Sequence, residues 1–547
     1  MTVPLLRAPP FPWVKAPVAA ISRARAGAPH PIDAARLASL RRTVAEARIG
    51  GPFWSPAADA PAGTTVIRPR DAADLATMLA AARASGGPIL ACPPGAGALA
   101  DAARAAGLPT IAGDVDPWSL LRPGTRLMAV PGDEWSLIAT LAGAEVIGQD
   151  IADLDRRLGA ALLGEVDYRD CFTGQPAPPE MVIPILVEWR RLSDRNRPIA
   201  VAAGIAWWKR DQIERFLWTG RHRPLLFSDD SAQAIARARD EDAAIAVWPS
   251  RTPEGLAAAN VPLVSIEDGF IRSVGLGSAL HPPFSIVADA SGIYYDPHAP
   301  SDLERLLEAA DFSPALLDRA ERLAQAIVAR GISKYASESS VAAPARPSGG
   351  QRLVLVAGQV EDDMSVRAGG GDVAGNLDLL VRARAAEPDA RILFKPHPDV
   401  DAGHRHGKVP DAQVLALADE IVRDESMPRL LGRIDAVHVL TSLTGFEALL
   451  RGCEVIAHGS PFYAGWGLTR DMGPPLPRRT RRLTLAQLVA GTLILYARYL
   501  DPETLLPCPP EIVLERFARQ RLPRRSWLIR ARALQGKIAK MLGTTTN

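Results

Sequence analysis

The sequence has few cysteines, almost no net charge and no long apolar run, and each shortage argues against a class of protein. The four cysteines form no CxxC pair, which suggests a reducing compartment and argues against a zinc site. The formal net charge of +2 gives no reason to expect a nucleic-acid partner. The cysteines are Cys92, Cys171, Cys453 and Cys508.

Signals for secretion and membrane insertion are also missing. The N-terminus carries scattered cations and the prolines Pro9, Pro10 and Pro12 in place of a continuous apolar segment, so we expect no signal peptide. There is no run of about 18 apolar residues, so we expect no membrane-spanning helix. The expected location is the cytoplasm.

What the sequence does contain is a series of short apolar runs separated by helix-like stretches. Hydrophobic residues make up 47% of the chain and charged residues 23%, a balance typical of a globular protein. A length of 547 residues predicts about two to four domains. Strand-length runs that alternate with helices predict parallel α/β units.

These patterns divide the chain into five predicted segments. They are residues 1–55, a partly disordered segment; residues 56–195, a reduced α/β half-module; residues 196–345, an α/β lobe; residues 351–495, a second α/β lobe; and residues 496–547, C-terminal helices with a basic amphipathic tail.

The chain also resembles itself at three places taken in the same order, which predicts a duplicated half-module. The first copy lacks polar residues of the second: Pro94 stands where His397 does, and Gly132-Asp133 where Thr441-Ser442 do. We therefore expect the first copy to be a structural remnant without the chemistry. The matching pairs are 88–94 with 391–397, 141–147 with 450–456, and 168–182 with 499–513.

An acidic pair, Glu267-Asp268, follows the apolar run 262–266 and is followed by Gly269. A carboxylate at the carboxyl end of a strand can accept a proton from an attacking sugar hydroxyl, and glycine lets a ligand approach the backbone. The alternative is an acidic turn with Gly269 as its hinge, which would be favoured if the motif stood alone. Arg272 and Ser273 follow this motif, and we assign them to the acceptor side of a cleft.

A second motif, Lys395-Pro396-His397-Pro398, ends another predicted strand. The two prolines hold the backbone extended, so the imidazole of His397 can hydrogen-bond a phosphate or protonate a leaving group. Lys395 could add positive charge there, although a basic residue at a strand end is usually just solvated.

A third motif places Thr441 and Ser442 between a strand and a helix. Free N–H groups at a helix N-terminus bind phosphate, and hydroxyls add donors, although either residue could merely cap the helix. Glu447, in the early turns of that helix, could reach a ribose diol or only favour the helix dipole.

Two further motifs are less specific. The loop 358–363 carries Gln359, Glu361 and Asp362 after a strand, and we predict that they line the cleft, the alternative being a solvated acidic loop. The loop has no DxD spacing and no histidine near it in the sequence, so a metal site is not supported. The glycine-rich loop 461–469 carries Tyr463 and Trp466, which suit a sugar or base face as well as they suit the core. We assign both to the acceptor side of the cleft.

The positions of these motifs are more informative than any one of them. Four of the five lie at strand ends, with Asp268 on one side of the linker 336–350 and His397 on the other. In α/β sheets, ligands bind at the carboxyl ends of the strands. The sequence therefore predicts an α/β fold of the GT-B kind, with two Rossmann-like lobes facing a cleft, preceded by a reduced Rossmann-like half-module.

Seven motifs in order, over residues 199–520, resemble the bacterial capsule polysaccharide proteins of the KpsC/LipA type. They are EDGFIRSVGLGS, GIYYD, ISKYA, GQVEDDMSV, FKPHPDV, TSLTGFEALLRG and PFYAGWGLT. The resemblance implies a retaining β-Kdo transferase that uses CMP-β-Kdo and builds a poly-Kdo linker on phosphatidylglycerol in capsule biosynthesis. Segment 196–345 would be the acceptor lobe and 351–495 the CMP-sugar donor lobe.

The resemblance also implies roles for individual residues. Asp268 would be the catalytic carboxylate, as a nucleophile or a base, with Glu267 beside it. His397 would contact the CMP phosphate near the leaving group, and Thr441 and Ser442 would bind that phosphate. No cofactor and no metal is expected, because cationic groups and a helix N-terminus can stabilise the departing CMP.

The sequence departs from the family pattern in its first part, because family members typically carry two complete modules. We therefore predict one linkage type per chain. The expected partners are the CMP-sugar donor, an anionic lipid-linked acceptor, the inner face of the inner membrane and capsule assembly or export proteins, but no nucleic acid. The tail 524–542 suits an interfacial amphipathic helix or a solvated basic helix equally well.

Two other functions remain open from the sequence. One is transfer of a different CMP-sugar, such as a sialic-acid-like sugar. The other is a non-catalytic capsule assembly or export protein that kept the fold. The intact acidic, histidine and hydroxyl motifs count against the second, whereas the eroded first copy shows that such decay occurs in this chain.

Overall fold

The computed structural model describes residues 4–14, 21–95, 97–220, 223–271, 282–332 and 350–519. These residues form two compact units. The first takes the chain up to Pro198 together with Leu217–Leu225 and Thr504–Leu506, and the second takes the rest. No described helix has the length and apolar character that crossing a membrane requires.

The first unit contains a small parallel sheet whose strand order is β3-β2-β4-β5, and a separate antiparallel pair of β1 with β6. Aspartates cap five of its helices by accepting hydrogen bonds from first-turn N–H groups. Its elements are β1 (Ser22–Ala24), α1 (Ala34–Ala47), β2 (Thr65–Arg68), α2 (Ala72–Ser85), β3 (Ile89–Ala91), α3 (Ala98–Ala105), α4 (Pro117–Leu120), β4 (Arg126–Ala129), α5 (Glu134–Ala142), β5 (Glu145–Val146), α6 (Ile151–Gly159), a π-helix (Ala160–Gly164), β6 (Val166–Tyr168) and α7 (Pro179–Asn196).

Within residues 1–55, for which we predicted partial disorder, the part that the structure describes is folded. Leu6, Phe11 and Ile21 are buried, and α1 buries Leu40 and Val44. The segment is rich in Ala, Arg and Pro, so its average composition does not indicate the few large apolar side chains that it contains. These side chains supply the apolar burial that folding of the segment requires.

The second unit contains two Rossmann-like lobes, which confirms the predicted GT-B-like fold class. The first lobe has a seven-stranded sheet of order β19-β18-β11-β10-β9-β7-β8, and the second lobe has a six-stranded, all-parallel sheet of order β14-β13-β12-β15-β16-β17. The strands are β7 (Ile199–Ala203), β8 (Leu226–Phe227), β9 (Ala244–Val247), β10 (Leu263–Asp268), β11 (Ser285–Asp289), β12 (Leu353–Ala357), β13 (Arg391–Lys395), β14 (Glu420–Ile421), β15 (Ala436–Val439), β16 (Glu454–Ala457), β17 (Arg470–Asp471), β18 (Arg498–Leu500) and β19 (Pro507–Cys508).

Helices cover these sheets, and their apolar faces meet the strands in one core per lobe, around Ile245 in the first lobe and Ile392 in the second. The helices are α8 (Arg210–Phe216), α9 (Ser231–Asp240), α10 (Asp302–Ala309), α11 (Pro314–Ala329), α12 (Met364–Gly369), α13 (Asn376–Ala386), α14 (Pro398–Asp401), α15 (Asp411–Leu415), α16 (Met427–Leu431), α17 (Leu443–Leu449), α18 (Leu485–Val489) and α19 (Pro510–Ala518), with 3₁₀ turns at Trp207–Lys209 and Pro249–Arg251 and a π-helix at Ala490–Tyr496.

The prediction that residues 496–547 are helical is wrong at its start. Residues 498–508 contain β18 and β19, and β18 pairs antiparallel with β11, a strand more than 200 residues earlier in the chain. Local patterns do not mark such a pairing, because the partner strand is distant in sequence. The basic tail 524–542 lies outside the described residues.

The two copies of the predicted repeat have the same local topology. The order β3-β2-β4-β5 in the first unit matches β13-β12-β15-β16 in the second lobe. In each copy a π-helix leads into a short strand and then into a Pro-Pro-Glu helix start.

The correspondence extends beyond the matches seen in the sequence. Ser22 stands opposite Tyr168 in one antiparallel pair, and Ser285 stands opposite Tyr499 in the other. The guanidinium of Arg36 binds Glu180 through two hydrogen bonds, as the guanidinium of Arg319 binds Glu511. The repeat thus includes β1 and α1, so part of the first copy lies within the segment that we had expected to be partly disordered.

Candidate active site

The acidic motif lies at the carboxyl end of β10, as predicted. The Asp268 side chain is 16% exposed, and its Oδ1 accepts a hydrogen bond from Lys209 Nζ at 2.9 Å. The N–H of Asp268 donates to Glu267 Oε1 at 2.9 Å. Gly269 is required because a Cβ there would overlap the hydroxyl of Ser285 on the neighbouring strand β11.

Lys209 was missed in the sequence analysis. It ends the 3₁₀ turn that follows β7, so it also lies at the carboxyl edge of the first sheet. Its ammonium lies 3.5 Å from the ring centroid of Trp248 and 5.2 Å from that of Trp208. A Trp-Trp-Lys run directly after a strand was the signal that could have indicated this residue.

The hydroxyl pair lies at the end of β15, where α17 begins. Ser442 caps α17 by accepting a hydrogen bond from the Thr444 N–H. The amide of Gln359 joins the pair from the end of β12: its Oε1 accepts from the N–H groups of Thr441 (2.8 Å) and Ser442 (3.0 Å), and its Nε2 donates to the Thr441 hydroxyl (3.0 Å). Three predicted residues therefore meet at one point of the second lobe.

His397 caps α14, with its Nδ1 accepting the Asp399 N–H at 3.2 Å. This hydrogen bond assigns the proton of the neutral ring to Nε2, which makes Nε2 a donor. The side chain is half-buried beside a small pocket that Asn376, Phe394 and Arg423 also line. The geometry suits donation to an acceptor oxygen.

Lys395 is not the solvated cation that its position at a strand end suggested. It is buried at the end of β13, and its ammonium donates to the carbonyl oxygen of Glu425 at 2.7 Å, with the carbonyls of Val422 and Arg423 at 3.4 Å. Its hydrogen bonds therefore fix the loop after β14. Glu447 is buried within α17, where its carbonyl oxygen accepts from the Arg451 guanidinium.

The acidic loop after β12 divides into separate contacts. Glu361 Oε1 accepts the Asn376 N–H at the start of α13, and Asp362 is exposed and pairs with Arg405 at 3.1 Å. The structure thus brings Gln359 to the hydroxyl pair, whereas Glu361 holds a helix start and Asp362 forms a surface ion pair.

The prediction that Tyr463 and Trp466 line the acceptor cleft is wrong, because both rings are completely buried. The Tyr463 hydroxyl donates to the Ser442 carbonyl, and the Trp466 indole donates to the Phe462 carbonyl. Tyr463 therefore supports the α17 start from inside the lobe, whereas Trp466 holds its own loop. Arg272 and Ser273, also assigned to the acceptor side, lie outside the described residues.

Aromatic side chains from the two lobes of the second unit pack against each other near the acidic motif. Phe270 lies 4.9 Å from Phe462 and 5.0 Å from Tyr294, measured between ring centroids. Burial first, and then the carboxylates of Glu267 and Asp363, raise the pKa values of Tyr294 and Tyr295 above the usual range. The Tyr295 hydroxyl is buried without a hydrogen-bond partner among the described residues.

Among the described residues, no group of three or more histidines, cysteines, aspartates or glutamates is placed to hold a metal ion. The arrangement offers an ion-paired carboxylate on the first lobe and hydrogen-bond donors on the second lobe. Both sets lie at carboxyl ends of strands in the second unit.

Comparison with known proteins identifies capsule biosynthesis proteins. A family model described as capsule polysaccharide biosynthesis protein matches residues 243–499. The capsule polysaccharide modification protein LipA of Neisseria meningitidis serogroup B is 40% identical over 366 residues, which are 66% of this chain and 51% of LipA. The chain therefore spans about half the length of that relative.

Two solved structures of KpsC from Thermosulfurimonas dismutans are similar as well. The β-Kdo 2,4 transferase is 32% identical, with 58% of this chain and 98% of that chain covered and a TM-score of 0.50. The β-Kdo 2,7 transferase is 33% identical, with 59% and 99% covered and a TM-score of 0.48. Because nearly all of the 2,4 transferase chain is matched at this identity, the present chain belongs to the KpsC/LipA type of capsule polysaccharide biosynthesis proteins.

Proposed function

We propose that the chain is a retaining glycosyltransferase that moves Kdo from CMP-β-Kdo onto a lipid-linked acceptor of the poly-Kdo phosphatidylglycerol type in capsule biosynthesis. The observation that carries the proposal is the ion-paired Asp268 at the end of β10. A catalytic carboxylate must be ionised and held in place, and the nearby cation favours both. The similarity to a protein named β-Kdo transferase supports the choice of sugar.

The second lobe supplies groups suited to the donor. In the proposal, His397 Nε2 and the donors at Thr441 and Ser442 bind the CMP phosphate and offset the charge that develops as CMP leaves. The N–H groups of Thr441 and Ser442 donate to the Gln359 amide oxygen. A bound phosphate would therefore either share these N–H groups with that oxygen or displace it. This scheme needs no metal to stabilise the departing CMP.

Asp268 has two possible roles in such a reaction. As a nucleophile it would attack the anomeric carbon of Kdo while CMP departs, and the acceptor hydroxyl would then displace the carboxylate, so that two inversions give retention. As a base it would take the proton of the acceptor hydroxyl, and retention would then require that this hydroxyl attack the anomeric carbon from the same face that CMP leaves. Intact-protein mass spectrometry of enzyme stalled without acceptor distinguishes the two, because only the nucleophile gains the mass of Kdo.

The test of the function is transfer from CMP-Kdo, generated in situ, onto a synthetic Kdo-terminated lipid, without added metal and read by mass spectrometry. We expect one added Kdo, because one linkage type per chain is proposed. Continued addition would mean that the module repeats its linkage or makes more than one. CMP-sialic acid in a parallel reaction tests the alternative donor.

Asp268→Ala should lower the transfer rate by at least about 10²–10⁴-fold while leaving CMP binding nearly unchanged. It should also lower thermal stability, because the buried Lys209 ammonium loses its counter-charge. The matched control is Asp372→Asn, an exposed carboxylate of the same unit that should not affect transfer. Retention of most activity by Asp268→Ala would show that another group is the catalytic carboxylate. CMP binding without any wild-type product, over a series of acceptors, would favour a non-catalytic assembly protein.

A further inference from the structure

Lys209 is an unusual lysine because its ammonium is almost completely removed from water. Only 9% of its side chain is exposed. Burial of an ammonium is costly unless a counter-charge and other partners replace the lost water. The partners of this ammonium therefore define what the residue does.

Two kinds of partner surround the ammonium. Asp268 Oδ1 lies 2.9 Å away, and the indole rings of Trp248 and Trp208 lie within cation–π distance. Trp248 is itself buried, at the end of β9, so its ring is a fixed wall. The cation is thus held from one side by aromatic faces and directed at the carboxylate on the other.

Two carboxylates near the acidic motif oppose ionisation of Asp268. Glu267 is adjacent in the strand and Asp363 belongs to the second lobe, and both carboxylates raise the pKa values of Tyr294 and Tyr295. Like charges in one site favour protonation of one another. The ammonium of Lys209 is in direct contact with Asp268 and opposes this effect.

We propose that Lys209 is a positioning residue for the transfer reaction: it keeps the Asp268 carboxylate ionised and in one orientation, and thereby sets the acidic limit of activity. The inference rests on the proposed function, in which Asp268 reacts as an anion. It holds whether Asp268 is the nucleophile or the base, since either role requires the deprotonated form.

The experiment is the pH dependence of kcat/KM for Kdo transfer by the full chain. Lys209→Met removes the charge at similar side-chain length. We expect the acidic limb of the variant's pH profile, where kcat/KM falls as the pH falls, to move to higher pH by about 1–3 units. Lys209→Arg keeps the charge and should leave the limb near its wild-type position. Arg210→Met is the matched control, because Arg210 is the next residue, pairs with Asp229 and is more exposed.

Each outcome decides the inference. An acidic limb of Lys209→Met that coincides with the wild-type limb would overturn it, whatever the change in rate, because a purely structural lysine alters rate or stability without moving the limb. Thermal unfolding and CMP binding of each variant identify misfolded protein, and Lys209→Gln replaces Lys209→Met if the latter fails to fold. Absence of transfer by the wild type would instead refute the proposed function, and with it this inference.

Discussion

At the residue scale, Gly445 in the third motif is explained by the glycine-rich loop 461–469 packed against it. A Cβ at Gly445 would overlap the Tyr463 hydroxyl and ring, and that hydroxyl donates to the Ser442 carbonyl at the start of α17. The glycine and the tyrosine therefore form one unit that fixes the position of the predicted phosphate donors.

Gly445→Ala should lower the free energy of unfolding by about 1–3 kcal/mol, the usual cost of overpacking a close contact, and should weaken CMP binding. Urea unfolding and CMP titration measure the two effects. Gly350→Ala is the control, because no atom of the described residues would contact a Cβ there. Wild-type stability and affinity in Gly445→Ala would mean that the tyrosine does not support the site.

A second residue-scale feature is a buried histidine pair in the second lobe, with His438 Nδ1 2.9 Å from His458 Nε2. Burial, followed by the neighbouring ring of His458, lowers the pKa of His438 to about 3, and burial followed by the charge of Arg382 lowers the pKa of His458 to about 4. Both rings are therefore neutral in the folded protein at pH values where unfolded histidine, with a pKa of about 6.5, is protonated.

Because the unfolded state binds more protons, stability should fall as the pH falls from about 6.5 toward 4, by up to about 1.4 kcal/mol per pH unit for each ring. Urea unfolding at four pH values measures the slope. His458→Gln should reduce the slope of unfolding free energy against pH by up to the contribution of one ring. His404→Gln, at an exposed position, should leave this slope unchanged. An equal slope in His458→Gln would contradict the assignment.

The sequence patterns predicted the site residues that lie at strand ends. Asp268, His397, Thr441 and Ser442 lie at carboxyl ends of strands because the α/β pattern requires it. Burial was less predictable: the loop 461–469 has a composition that suits both a ligand and a core, and only its tertiary contacts place Tyr463 inside.

At the scale of elements, the basic segment 478–481 connects the glycine-rich loop 461–469 of the second lobe to α10 through hydrogen bonds. Glu304 on α10 accepts from the guanidinium groups of Arg478 (2.6 Å) and Arg479 (3.0 Å), and Arg479 also donates to the carbonyls of Pro461 and Ala464. A cluster of basic side chains is usually solvated. Instead, Arg479 is only 3% exposed and forms an internal connection.

Glu304→Gln should destabilise the second unit by about 3–5 kcal/mol, because it leaves the buried Arg479 cation without its counter-charge. Asp372→Asn, which breaks the exposed pair with Arg382, should cost under about 1 kcal/mol. Comparing the urea midpoints of the two variants tests this. Equal midpoints would show that the carbonyl groups alone satisfy Arg479.

Elements with a local signal were predicted better than elements with a distant partner. The strands β12, β13, β15 and β16 of the second lobe each contain a short apolar run between helices, and the structure contains them as expected. The two-residue strands β14 and β17 contain no such run. In contrast, β18 and β19 complete a sheet whose other strands end at Asp289, so nothing in their own few residues distinguishes strand from helix.

At the scale of the whole molecule, the repeat supplies two versions of one local topology with different polar groups. Where Ser442 caps α17, Asp133 caps α5, and its other carboxylate oxygen accepts from the Arg68 guanidinium at 2.9 Å. A carboxylate at a helix N-terminus occupies the donors that a phosphate would use and repels its charge. The first copy should therefore not bind a nucleotide phosphate.

Hydrogen–deuterium exchange with and without CMP tests this difference. We expect slower exchange on CMP addition in peptides covering 357–361 and 440–449, and unchanged exchange in peptides covering 129–142. The two copies serve as each other's control, since both contain a strand that leads into a capped helix. Protection of the first copy would show that it retains a nucleotide site.

The pairing of β11 with β18 also has a consequence for how the protein is made. A ribosome that has synthesised the strands β7–β11 has not yet made the two strands that cover the open side of β11, and the whole second lobe must be translated before they emerge. At about 5–20 residues per second, the first lobe would expose an unpaired strand edge for at least about ten seconds, during which a chaperone or the nascent second lobe must shield it.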